Sequence, residues 1–159
     1  MSVRLQTEAF DAAVEAAALT RGRTDVGALV TFTGICRGDD DGHAIAAMTL
    51  EHYPGMAEAE IARHVAEAER RWNLLGVTVI HRYGRLQPGD PIVLVVTAAA
   101  HRQAAFAAAE FLMDYLKTQA PFWKREERPD GPAWVAAKDT DSAAAERWTR
   151  ASPREEAAE

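Results

Sequence analysis

Cysteine occurs once in the chain, at Cys36, which excludes an internal disulfide and any zinc site built from several thiolates. No apolar run approaches the roughly 20 residues needed to cross a bilayer, and no basic region followed by an apolar stretch opens the sequence. The expectation is a cytoplasmic protein without membrane contact. A phosphate-binding glycine loop, a dinucleotide fingerprint and a serine elbow are all missing. Asp39, Asp40, Asp41 and His43 lack the spacing of a calcium loop, so neither a metal nor a cofactor is expected. Lysine is also scarce: three residues stand against fifteen arginines.

What remains is a chain of 159 residues, 48% hydrophobic and 26% charged, enough to bury a substantial core. The net charge of -6 disfavours nucleic acid as a partner. Six acids and three arginines lie from Asp139 onward, so half of that charge belongs to the last 21 residues and the body is only mildly acidic. Residues 1–138 read as one domain and 139–159 as an acidic, Ala-rich, flexible tail with at most a short helix around Trp148.

Element signals follow one another closely. "TEAFDAAVEAAALT" (7–20) predicts a helix capped by Thr7, with Phe10, Val14 and Ala17 or Ala18 inward. "VGALVTFTGIC" (26–36) predicts a largely buried strand that ends at Cys36, itself a small structural residue rather than a nucleophile. "RGDDDGH" (37–43) reads as a mobile loop. Strands are expected over 45–53, 76–84 and 91–99, the last two joined by "LQPGD". Helices are expected over 55–72 and 101–119, with Ile61, Val65 and Ala68 and then Ala105, Ala109, Leu112 and Leu116 inward. A hairpin of 122–128 and 133–138 turns at "PDGP". This order points to an α+β fold with a largely antiparallel sheet.

The three lysines, Lys117, Lys124 and Lys138, all lie within 22 residues. Where arginine serves nearly everywhere else, a retained lysine points to a need for an amine. An ammonium can be desolvated, lose its proton and act as nucleophile or acid/base, whereas a guanidinium stays charged. The plainer alternative is a chance cluster in a solvated segment. Strand alternation puts Phe122, Lys124 and Glu126 on one face and Trp123 and Arg125 on the other. His101 and Arg102 open a helix with no good cap, at the end where the backbone dipole favours negative charge; a bound anion would account for them, as would plain surface exposure. Arg37 follows "GIC" beside glycines. With His101, Arg102 and Lys117 it suggests one electropositive pocket for a phosphate or carboxylate. His52 and His81 read as packed or surface residues.

Taken together, "VTFTG", "TLEHYPGM", "VTVIHRYGRLQPGD", "AHR", "MDYLKTQAPFWKRE" and "WVAAK" resemble the molybdopterin synthase catalytic (large) subunit family, from about Gly27 to Lys138. The resemblance implies a hammerhead-like α/β fold with packed helices and a small β subdomain. It implies a sulfurtransferase that converts cyclic pyranopterin monophosphate (precursor Z) to molybdopterin by building a dithiolene. Sulfur would come from the C-terminal Gly-Gly thiocarboxylate of a small ubiquitin-like subunit. The large subunits would form a central homodimer within a heterotetramer. By the same resemblance Lys117 and Lys124 match the catalytic lysines, Arg37, His101 and Arg102 match substrate-pocket residues, and Arg125 and Glu126, which flank the second lysine, are expected with Lys138 to bind substrate as well.

This chain departs from the family pattern at Ile35-Cys36, where a basic residue and valine often precede the arginine. It also has Lys138 where an arginine is common, which weakens any bidentate phosphate clamp made across the dimer. Two rival functions stay open: a module that docks a ubiquitin-like tail without transferring sulfur, and a phosphosugar or pterin enzyme with no protein partner. Which lysine does which is left open by the sequence.

Overall fold

A computed structural model describes residues 1–149. Its elements run β1 (Ser2–Gln6), α1 (Ala12–Thr20), β2 (Ala28–Ile35), β3 (Asp39–Asp40), β4 (His43–Ala44), β5 (Ala47–His52), α2 (Met56–Trp72), β6 (Gly76–Arg82) and β7 (Gly84–Leu86), followed by β8 (Pro91–Ala99), α3 (Arg102–Thr118), β9 (Phe122–Arg128), β10 (Gly131–Val135), α4 (Asp139–Glu146) and a 3-10 turn, Arg147–Thr149. The fold is α+β, and every strand pair is antiparallel except β1 with β6.

The main sheet has the order β1-β6-β8-β2. Its central strands β6 and β8 are mostly apolar and buried on both faces because both faces are covered. Val77, Val79, Val93 and Val95 meet Ile61, Val65 and Ala68 of α2 and Ala108, Leu112 and Leu116 of α3. On the other face Ile80, Leu94 and Val96 meet Phe10, Ala12, Ala16 and Leu19 around α1. The second sheet has the order β10-β9-β5-β7, with Cys36, Met48, Leu50 and Leu86 as its own small core. Cys36 is buried and burial pushes its thiol pKa up, so it serves packing rather than nucleophilic attack.

Three expectations are corrected, and one strand was not foreseen. The first helix begins at Ala12, because the Asp11 carboxylate accepts from the N–H groups of Ala13 and Val14 at 2.9 and 3.1 Å and so caps it ahead of Thr7. The Gln6 amide, donating to the carbonyls of Glu8 and Ala9, holds the preceding residues out of the helix. The later start changes the inward face, and Val14 is 58% exposed. The strand expected to be buried, β2, is the sheet edge, and Leu29, Phe32 and Ile35 stand exposed along it. The segment read as a mobile loop contains the β3–β4 hairpin. Finally, β1 went unread: it is five residues long and pairs in parallel with a strand more than 70 positions away, which no local pattern reveals.

Past Lys138 the chain keeps its structure through Thr149. Arg147 and Trp148 reach Asp114 of α3 at 3.1 and 2.6 Å, and the Trp148 indole packs edge-on to Trp72 and Phe111. The remainder of the expected tail, 150–159, lies outside the described residues. No helix among the described residues is long and apolar enough to cross a membrane.

Candidate functional site

A cavity of about 550 Å³ opens between the two sheets, walled by β2, the end of α3, β9 and the segment after β10. It collects Arg37, Lys117, Lys124 and Lys138. The chain folds this way locally because Pro121 cannot continue α3. Gln119 and Ala120 both donate to the Tyr115 carbonyl and close the last turn. Two residues later β9 begins, so the helix end and the strand hold Lys117 and Lys124 on the same cavity.

Alternation along β9 turns Phe122, Lys124 and Glu126 inward. Phe122 stacks on His81 with ring centroids 4.2 Å apart. The Lys124 amine lies 3.8 Å from Glu126 Oε1. Glu126 is 1% exposed, and its other oxygen accepts from Arg128 Nε and Nη2 at 3.0 and 2.7 Å. Burial lowers the Lys124 pKa from its ordinary value; Glu126 and Asp40 oppose that shift, and the charges of Lys117 and Lys138 add to it. This lysine therefore gives up its proton more readily than a solvated one. Lys138 is the opposite case, since its hydrogen bond to Asp40 raises its pKa and keeps it charged.

Three of the residues expected in the pocket lie elsewhere in this chain. His101 and Arg102 begin α3 while Lys117 ends it, a separation of about 22 Å at 1.5 Å per residue. One protomer therefore cannot bring them to the same ligand. The His101 side chain makes no capping hydrogen bond, so the α3 N-terminus is as open as expected. Arg125 takes the outer face of β9, with its guanidinium 5.9 Å from the centre of the Trp134 ring. Strand alternation fixes that side.

One cavity residue, and one that binds two cavity residues without lining the wall, were not read as functional from the sequence. His81 lines the wall although it is only 7% exposed. Its Nδ1 lies 2.8 Å from the Arg82 carbonyl, an acceptor only, so Nδ1 carries the proton and Nε2 is left as an acceptor. Burial lowers its pKa to about 4, helped by the nearby Lys117 charge. A histidine directly after the β-branched stretch "VTVI" was the available signal. The second is Asp40, hidden in a run of three aspartates, whose Oδ1 accepts from both Arg37 and Lys138. Among the described residues no group of three or more His, Cys, Asp or Glu is placed to hold a metal ion.

The fold and cavity thus define an α+β protein with three lysine amines and one arginine around one cavity. The family described as "MoaE protein" matches residues 5–119. The molybdopterin synthase catalytic subunit of Mesorhizobium japonicum is 62% identical over 153 residues, 95% of each chain. That of Pseudomonas aeruginosa is 51% identical, covering 93% of this chain and 99% of its own. Among solved structures, the molybdopterin biosynthesis MoaE protein of Burkholderia ambifaria superposes with a TM-score of 0.78 at 51% identity, covering 94% of this chain and 99% of that one. This chain belongs to the MoaE protein family.

Proposed function

We propose that the chain is the catalytic subunit of a molybdopterin synthase, a sulfurtransferase that converts precursor Z to molybdopterin with sulfur from the thiocarboxylate of a small ubiquitin-like subunit. The observation that carries this reading is the pair of amines on one cavity, Lys117 and Lys124, the second partly desolvated against the buried carboxylate Glu126. Docking a charged tail needs positive charge but not an amine that can lose its proton.

In this reading the anionic thiocarboxylate enters beside Lys117, whose ammonium anchors it or whose amine attacks it transiently. Each new carbon–sulfur bond on the pterin side chain replaces a carbon–oxygen bond there, and water then hydrolyses the acyl–sulfur bond, so that the carrier leaves as a carboxylate. Lys124 moves a proton or offsets the charge that develops as the carbon–sulfur bond forms, and Glu126 holds Lys124 in place. Arg37 and Lys138 receive the substrate phosphate at the rim. The His81 imidazole, neutral, offers an acceptor to substrate N–H groups. The reaction takes place in the cytoplasm.

His101 and Arg102 belong to this scheme only if they come from a second copy. The edge strand β2 supplies a route. It is antiparallel to β8, so its Ala28 end lies beside Ala99 and the start of α3, and its Ile35 end lies beside Arg37. Two β2 strands paired antiparallel about a two-fold axis bring Ala28 of one copy opposite Ile35 of the other. That operation carries the partner's α3 N-terminus toward this copy's cavity and covers the exposed Leu29, Phe32 and Ile35. The homodimer then forms the centre of a heterotetramer with one small subunit at each end, and Arg125 remains outside the cavity.

The test is single-turnover conversion of precursor Z by the purified chain with a thiocarboxylated small subunit. Product carrying two new sulfurs per pterin, with two carriers returned as carboxylates, is expected. Absence of product, or equal turnover with free sulfide and no carrier, overturns the reading.

A further inference from the structure

Within the run Asp39-Asp40-Asp41 only the middle residue is buried, at 6% exposure. The hairpin makes it so. Asp41 and Gly42 have φ of 52° and 79°, the pair of left-handed residues that a two-residue turn of this hand requires and that Asp-Gly supplies. The Asp39 carboxylate accepts from the Gly42 N–H at 3.0 Å and braces the turn. Alternation then sends the Asp40 side chain inward while its neighbours face solvent.

There its Oδ1 accepts from Arg37 Nη2 at 2.9 Å and from Lys138 Nζ at 2.9 Å. The two cations come from segments about a hundred positions apart, and their side chains are 64% and 43% exposed against 8% for Asp40. The buried carboxylate is the fixed point, and the two long side chains are held to it. Unheld, each would spread over many rotamers, and an incoming anion would have to order both. Arginine has five N–H donors and lysine three, so both cations can receive a second anion without leaving Asp40. The hydrogen bond from Lys138, and the charge of Arg37 after it, keep Asp40 well below the usual carboxylate range. The triad therefore retains one net positive charge at the mouth of the cavity.

We propose that Asp40 is a positioning residue for the anionic end of the substrate: it gathers Arg37 and Lys138 into a preformed two-cation cradle that receives a phosphate ester. This rests on the function proposed above, for which the ester is the cyclic phosphate of the pterin precursor. Asp40 does not touch the reacting atoms. Its contribution is to substrate affinity, not to the chemical step.

The test is steady-state kinetics of the full chain with its thiocarboxylated small subunit, comparing wild type, Asp40→Asn and Asp40→Ala, with inorganic phosphate as a competing probe. Asp40→Ala is expected to raise KM for the pterin about tenfold with kcat within about twofold. Asp40→Asn, which keeps the shape and an acceptor, falls between. The inhibition constant of phosphate rises in parallel. In an Arg37→Ala/Lys138→Ala background, Asp40→Ala changes neither KM nor the phosphate constant further. A merely structural role would cost the same in both backgrounds, and that result overturns the proposal. So does an unchanged KM, or a KM that falls, which would make Asp40 a competitor of the anion. A wild-type complex that makes no product defeats the functional reading instead. Calorimetric titration of wild type and Asp40→Asn with phosphate then decides the cradle alone: weaker binding by Asp40→Asn supports it, and equal or tighter binding overturns it.

Discussion

The Lys124 amine lies 3.8 Å from Glu126 Oε1 on one face of β9, and Arg128 holds the other oxygen of that carboxylate at 2.7 Å. A fully buried carboxylate shared by a lysine and an arginine is stable only while both partners stay. It also opposes the burial that pulls the Lys124 proton off. The two residues thus set the charge state of the amine between them.

Replacing either amine by a permanent cation separates chemistry from charge. Lys124→Arg and Lys117→Arg are each expected to lower the single-turnover rate by about 10²-fold or more, while binding of the small subunit, read by calorimetry, stays within about twofold. Two arginine variants that turn over normally would reduce both lysines to positive charges.

The rate should also depend on pH in a definite direction. The folded pKa of Lys124 lies below that of a free lysine, so the neutral amine grows in as pH rises through that lowered value. Product formation is expected to rise with pH along one limb. Glu126→Gln removes the carboxylate that raises the Lys124 pKa and moves the limb to lower pH. It also removes the carboxylate that Arg128 is paired with. A limb that stays in place, or shifts upward, contradicts the assignment.

His81 predicts an acid limb of stability. Its folded pKa of about 4 is below the ordinary value of 6.5. Above pH 6.5 it is neutral folded or unfolded, and its contribution is present in full. As pH falls from 6.5 to about 4 the unfolded chain takes up a proton that the native state refuses, and stability is lost. The shift corresponds to about 3 kcal/mol. Urea unfolding of His81→Phe between pH 4 and 7 should show a shallower acid slope than wild type.

Subunit mixing tests the two-fold arrangement. At pterin concentrations well below KM, Arg37→Ala and Arg102→Ala homodimers are each expected to lose most of the wild-type rate. If each site takes one residue from each copy, a refolded equimolar mixture regains about a quarter of wild-type activity, since half of the dimers carry one intact site. Recovery is absent if both residues serve the same protomer. A charge on the shared edge, Phe32→Glu, should yield monomers by sedimentation.

The C-terminal turn contributes stability through one side chain. Trp148→Ala removes the indole packed on Trp72 and Phe111 and the hydrogen bond to Asp114. For a half-buried tryptophan the expected loss is about 2 kcal/mol, measured by urea unfolding. An unchanged midpoint would mean that this turn is not docked in solution.

The sequence by itself determined most of what depends on local spacing, the Asp11 cap of α1 and the hairpin at residues 39–44 being the local features read otherwise. The inward faces of α2 and α3, the β9–β10 hairpin, the end of α3 at Pro121 and the common side of Lys124 and Glu126 all follow from periods of 3.6 and 2 and from proline chemistry. The scarcity of lysine also singled out the three amines of the cavity. The tertiary structure decided what depends on partners far along the chain. It made β2 an edge, found β1 a parallel neighbour more than 70 residues away and set His101 and Arg102 at the far end of α3 from Lys117. It also joined Asp40 to Lys138 across 98 positions. The Asp-Gly turn that aims Asp40 inward is legible in the sequence; the two cations that meet there are not, because an ion pair between distant segments leaves no period in either.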